Sequence, residues 1–307
     1  QGSLFSQNFT TATDSLNVAV GHEAGLSVTT GTQNTIVGSL AGDALTTGGD
    51  NTAVGTFALS SDDVGSHSTA IGYGTLSSQN FRSEEHTSEL TTGVNSTLIG
   101  SGAGDLLTTG DHNTAVGAFA LTSDDIGGKT TAVGYGTLNT QNYSTATDSH
   151  NTAVGYLAGA NLTTSTFNTF IGSEAGLAIT TGHANTLIGY HAGQAEQGGT
   201  RNTIIGSQAG ESQNGASGNN FMGYQAGKQC TTGSDNTASA NAALENLTTG
   251  SQNVSIGGNS QVNNDVGSKN TSVGFSALRD LNYSTATDGH NTAVGHSAGL
   301  VVSTGVR

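Results

Sequence analysis

One phrase, N-T-A-V-G-Y-L-A-G-A-N-L-T-T-S-T-F at 151–167, begins again at Asn168, Asn185 and Asn202. A unit this short cannot bury an apolar face alone and must stack on its neighbours, so a fixed period predicts a solenoid. The phrase starts sixteen times, at Asn17, Asn34, Asn51, Ser68, Ser96, Asn113, Thr130, Asn151, Asn168, Asn185, Asn202, Asn219, Asn236, Asn253, Asn270 and Asn291. Most steps are 17 residues, two are 21 (130 to 151 and 270 to 291), and one is 28 (68 to 96).

Counting from the leading Asn, position four is aliphatic almost throughout (Val37, Val54, Ile71, Val116, Val154, Ile171, Ile188, Ile205) and is expected to be the core. N-T-A-V-G, with β-branched residues at positions two and four, suits a short strand. Alternation then sets Thr and Val on one face, Ala and Gly on the other. A second short strand is expected at x-x-A-G, where Ala24, Ala41, Ala158, Ala175 and Ala192 share a phase and imply close approach of another backbone. L-T-T-G closes the coil as a turn. Forty-seven Gly spread through every period disfavour helix, and the absence of Pro suits a ladder in which each coil lends its N–H groups to the next. The expected fold is an all-β, parallel β-solenoid of about sixteen coils, one repeat domain over 1–307.

Only 33% of residues are apolar and none is Trp, which is too little to fill one large globular core. A formal charge of −15 gives the wrong electrostatic sign for nucleic acid or anionic lipid. No apolar run approaches the ~18 residues of a membrane span. Cys230 has no partner for an intrachain disulfide and reads as a small substitution within the closing phrase.

The N-T-A-V-G and N-T-x-I-G phrases resemble the N-S-x-A-I-G repeats of YadA-type trimeric autotransporter adhesin heads. The fuller N-T-A-V-G-Y-x-A-G-x-x-L-T-T-G pattern is similar to repeats of phage and bacterial tail-fibre-like proteins. The resemblance covers nearly the whole chain and implies a left-handed β-roll, three chains side by side, and an extracellular place on a cell or virion surface. Adhesin heads of that type usually repeat at a shorter interval. Association along the Ala/Gly face, closed by cyclic symmetry, is expected to supply burial that one coil lacks, giving a homotrimer.

Three stretches end alike, at 7–17, 141–151 and 281–291, and their four added residues are expected to protrude as loops suited to recognition. The pairs Asp62/Asp63 and Asp124/Asp125 read as turn formers; one pair per coil supplies too few oxygens for Ca²⁺. His112, His150 and His290 share the phase just before the leading Asn, without metal-ligand spacing, and read as solvated turn residues. The nonapeptide R-S-E-E-H-T-S-E-L at 82–90 breaks the pattern and predicts an irregular charged excursion. Ser239 and Ala240 replace the usual aliphatic and Gly, predicting a weakened coil over 236–244. At 301–307 the period ends without a polar cap, so further chain or a docked subunit is expected, which allows end-to-end filaments.

No Ser-His-Asp, phosphate-loop or metal motif occurs once and alone, so no catalytic, cofactor or metal residue is assigned and enzyme activity is not expected. The expectation is a structural fibre or adhesin, with a surface glycan or receptor as partner. The alternative is a monomeric ice-binding solenoid using the Thr ladder of Thr35, Thr52, Thr114, Thr152, Thr169, Thr186 and Thr203.

Overall fold

The computed structural model describes residues 2–77 and 96–305, so the expectation for 82–90 lies outside the described residues. The chain divides into two compact units, Gln1–Asn151 and Thr152–Arg307. Each is a parallel β-solenoid, and each of the sixteen phrase starts leads into a three-residue strand. In the first unit the strands run from Val18–Val20 to Thr131–Val133, each paired with the next. In the second they run from Thr152–Val154 to Thr292–Val294, again in parallel. Register follows the period: Thr152 sits opposite Thr169, Ala153 opposite Phe170, and Val154 opposite Ile171.

The leading Asn holds one coil to the next. Its backbone N–H donates to the Oδ1 of the preceding coil's Asn, at 2.9 Å for Asn185 on Asn168 and 3.0 Å for Asn202 on Asn185. Its Nδ2 donates to the carbonyl fourteen residues on, 2.8 Å to Gly199 from Asn185 and 2.8 Å to Gly233 from Asn219. One side chain therefore closes its own coil and sets the spacing to the next. At position five the coils approach so closely that a Cβ on Gly189 would lie 2.5 Å from the Gly206 carbonyl oxygen, and φ there is +135°.

The strand is the reverse of the expected one in what it points inward. Position three is buried in every coil but the two terminal ones, where Ala19 and Ala293 are half-buried, and no position-four residue in the described chain is buried. Val154, Ile171 and Met222 are 36%, 38% and 43% exposed. Three extended residues can turn only one side chain into the coil, and the inward one faces Ala at position eight and the apolar residue at position twelve. Ala24, Ala41, Ala158, Ala175 and Ala192 are wholly buried, as are Leu45, Leu107, Leu162 and Ile179. The small-residue face expected to meet other chains is thus the interior of each coil.

Positions three and nine share one volume. A large residue at position three always stands with Gly at position nine: Ile36 with Gly42, Leu98 with Gly104, Phe170 with Gly176, Phe221 with Gly227; the coils of Ala19, Ala153 and Ala293 pair Ala with Gly. Where position nine is Leu, position three is Ala or Ser: Ala53 with Leu59, Ala115 with Leu121, Ala238 with Leu244, Ser272 with Leu278. The reason is steric, since a Cβ on Gly227 would lie 2.5 Å from the Phe221 ring and one on Gly104 would lie 2.7 Å from Leu98 Cδ1.

The expected second strand does not form in a 17-residue coil. Position seven is left-handed even without Gly (Glu174 φ 57°, His191 φ 56°, Gln208 φ 57°), and position nine follows at Gly176 φ 61°, so the stretch is a run of turns. Among the described residues a second pairing appears only where a 21-residue coil stacks on the 17-residue coil before it. There Thr147–Asp148 pairs with Gly127–Gly128, and Thr287–Asp288 with Gly267–Ser268. The added residues 144–146 and 284–286 are exposed, then the chain returns as strand. At 236–244 the strand Thr237–Ser239 keeps its register with both neighbours, and the departure is Ala240, which takes the Gly position at φ 125°.

Phe221→Ala should cost about 3–5 kcal/mol by the cavity it leaves. Adding Gly227→Leu should restore much of that, because Leu59 and Leu121 hold the same left-handed position at φ 57° and 54°. Urea unfolding of the two single variants and the double checks this, and additive losses would refute the shared volume.

Candidate functional site

Two features of the surface repeat with the coils. The first is the outward face of the strands, where position two supplies a hydroxyl and position four an aliphatic side chain. In the second unit Thr152, Thr169, Thr186 and Thr203 stand in register and half-buried beside Val154, Ile171, Ile188 and Ile205. Asn220 and Val254 then interrupt the Thr column, as Val18 does in the first unit.

The second feature lies two residues further on, at position six. Tyr156, Ser173, Tyr190, Ser207 and Tyr224 occupy successive coils of the second unit, so an aromatic ring returns every second coil. The three rings are nearly equally exposed, at 49%, 51% and 49%. Backbone bonds from each following coil hold the position in line, with Glu174 N–H to the Tyr156 carbonyl at 2.8 Å and Gln208 N–H to that of Tyr190 at 2.8 Å. His191 stacks on Tyr190 with ring centroids 3.7 Å apart. Its Nε2 lies 3.2 Å from Glu174 and its Nδ1 3.2 Å from Glu211, while Lys228 reaches Glu211 at 3.5 Å. Gln225 Nε2 donates to Gln208 Oε1 at 3.0 Å, extending the polar border along the row.

The titratable residues singled out in the sequence are committed to the fold. Asp62 Oδ1 accepts the Gly65 N–H at 2.7 Å, and Asp124 Oδ1 accepts that of Gly127 at 2.9 Å, so both close turns. Asp124 Oδ2 also accepts from Gln141 at 2.7 Å, and Gln141 Oε1 in turn accepts from Asn151 at 3.0 Å. His112, His150 and His290 occupy left-handed corners at φ 56°, 50° and 52°, and His112 lies 3.1 Å from Asp111. Cys230 takes the position-twelve core site, where burial pushes its thiol up to about 12. Among the described residues no group of three or more His, Cys, Asp or Glu is placed to hold a metal ion.

Sequence reasoning missed two things here. Glu196 is buried at position twelve, its Oε1 accepting from the N–H groups of Gly198, Gly199 and Gly215 at 3.1, 2.5 and 2.8 Å. Nothing in Q-A-E-Q-G-G marks that Glu as internal except its phase in the repeat. The aromatic row was equally legible as phase, since Tyr and Ser alternate at one position.

No protein-family profile matches this chain, and no curated protein matches it. The surface is therefore read from its chemistry alone.

Burial raises the Asp124 carboxyl to about 6, against hydrogen bonds from Gln141 and Gly127 that lower it. Its folded value lies above its unfolded one, so the native state holds the extra proton between about pH 4 and 6 and stability falls as pH rises through that window. The loss is on the order of 1–3 kcal/mol. In the second unit Asn264 stands at the same place, its Oδ1 accepting the Gly267 N–H at 2.9 Å. Asp124→Asn should therefore be more stable than the parent at pH 7 and flatter between pH 4 and 7. Urea midpoints across that range test it; an unchanged pH slope in the variant would contradict the assignment.

Proposed function

We propose that this chain is a non-enzymatic structural and adhesive fibre segment at a cell or virion surface, whose left-handed coils associate in threes through the outward faces of their strands. The observation that carries the reading is the repeated exposure of an aliphatic side chain at position four. In the second unit Val154, Ile171, Ile188, Ile205, Met222, Ile256, Val273 and Val294 lie on that face, interrupted once by Ser239. Covering the exposed part of each contributes on the order of 1 kcal/mol. Eight together then rival the roughly 4–15 kcal/mol that association costs, so the face is large enough to hold a second copy. Its narrow mixture of hydroxyl and aliphatic groups, aligned by the ladder, suits a copy of itself in the same register.

A second reading rests on the run Thr152, Thr169, Thr186, Thr203, aligned and partly exposed as an ice-binding face requires. Against it stand the interruptions at Asn220 and Val254 and the aliphatic column alongside, whose exposure a covering subunit relieves.

Sedimentation equilibrium decides between them. The parent should have the mass of three chains, and the variant carrying Ile171→Lys, Ile188→Lys and Ile205→Lys should fall to one chain while keeping its far-UV circular dichroism, since these side chains point outward. A parent of single-chain mass that inhibits ice recrystallisation would overturn the fibre reading in favour of the second.

A further inference from the structure

Tyr156, Tyr190 and Tyr224 are separated by two strand spacings each, about 9.6 Å. They stand outside the strand-face ladder and use none of its residues. Between them Ser173 and Ser207 leave gaps one coil wide. On one side the rings are bordered by a line of amides and balanced charges: Gln208 on Gln225, His191 between Glu174 and Glu211, and Lys228 on Glu211. An amphipathic ring with a polar border is the arrangement that takes a ligand having one apolar face and polar edges.

We infer that this row is a binding site for a linear, uncharged β-1,4-linked polysaccharide. In such a chain each pyranose presents a flat C–H face with hydroxyls around its rim. Successive sugars are turned over, so the same face returns every second sugar, at a repeat close to the spacing of the rings. Three tyrosines in line would seat alternate sugars, and the intervening sugars would span the serines. The amides and carboxylates of Gln208, Gln225, Glu174 and Glu211 supply donors and acceptors for the rim hydroxyls. Charge selects against acidic polysaccharides: the chain carries −15 overall, and His191 and Lys228 are already engaged by Glu174 and Glu211. An α-1,4-linked glucan curls and presents no equivalent repeat. The inference extends the surface-adhesion reading above but depends on different residues.

Isothermal titration of the full chain with the hexasaccharides of β-1,4-linked glucose and β-1,4-linked N-acetylglucosamine, and with the α-1,4-linked glucose hexasaccharide, tests it. At least one β-linked chain should bind and the α-linked chain should not. Tyr156→Ala, Tyr190→Ala and Tyr224→Ala together should weaken binding about tenfold or more without changing circular dichroism or the sedimenting mass. Ser207→Tyr, which closes a gap, should weaken it too. No binding of either β-linked chain at millimolar concentration, equal binding of the α-linked one, or binding that survives the triple Tyr substitution would overturn the site. A triple variant that changes the sedimenting mass would also overturn it, assigning the row to self-association. A parent of single-chain mass that still binds would remove the fibre and leave the polysaccharide site.

Discussion

Thirteen of the sixteen coils begin on a carboxamide that can bond in two directions. The leading Asn takes the next coil's backbone N–H on its Oδ1 and gives its Nδ2 to the carbonyl that ends its own coil, as Asn185 does with Asn202 and Gly199. Left unpaired in this interior, such a group would cost about 1–3 kcal/mol, so the bond is obligatory once the coil is closed. It also fixes the stacking distance, which is why Gly189 and Gly206 must approach with no Cβ between them. Where Thr130 replaces the Asn, the longer coil supplies a substitute: Thr130 Oγ1 meets Ser149 Oγ at 2.6 Å, and Gln141 and Tyr143 reach Asn151 at 3.0 and 3.2 Å. The stretch 141–151 therefore repairs the seam through its buried residues while 144–146 stand exposed.

From that seam follows the division between inside and outside. With the corner and the stacking distance set, a three-residue strand offers one inward side chain, and the volume it must fill is finite. Large at position three with Gly at position nine, or Ala with Leu, are two solutions of the same packing problem. Both leave position four facing out. Individual coils are thus satisfied within one chain, and the aliphatic ladder is available for something outside it.

Much of this was legible in the repeat. The period placed all sixteen three-residue strands, and the shared phase of Ala24 to Ala192 marked a position held to small residues, which proves to be the interior of the coil and not a face between chains. The Asp pairs announced turns, as Asp124 and Gly127 bear out. Which side of the strand faces inward was not decided by alternation, because Ala153 and Val154 are both apolar and parity alone has two answers. The limit that position nine places on position three within this one sequence held the answer: a column that is large only where Gly follows six residues later is packed, whereas position four varies among Val, Ile, Met and Ser without such a partner. The turn run after the strand stayed hidden because left-handed backbone at Glu174, His191 and Gln208 is carried by residues with no Gly or Asn signature.

Thiol labelling reads the strand's orientation most directly. With Cys230→Ala as background, Leu187→Cys and Ile188→Cys place a thiol on adjacent residues of the same strand. In the dissociated folded chain the thiol at 188 should react at close to the rate of a free thiol, and that at 187 only as fast as the protein unfolds. Rapid reaction at 187 with protection at 188 would mean that the coil is packed on its other face, and the core, the outward ladder and the functions built on it would fall together.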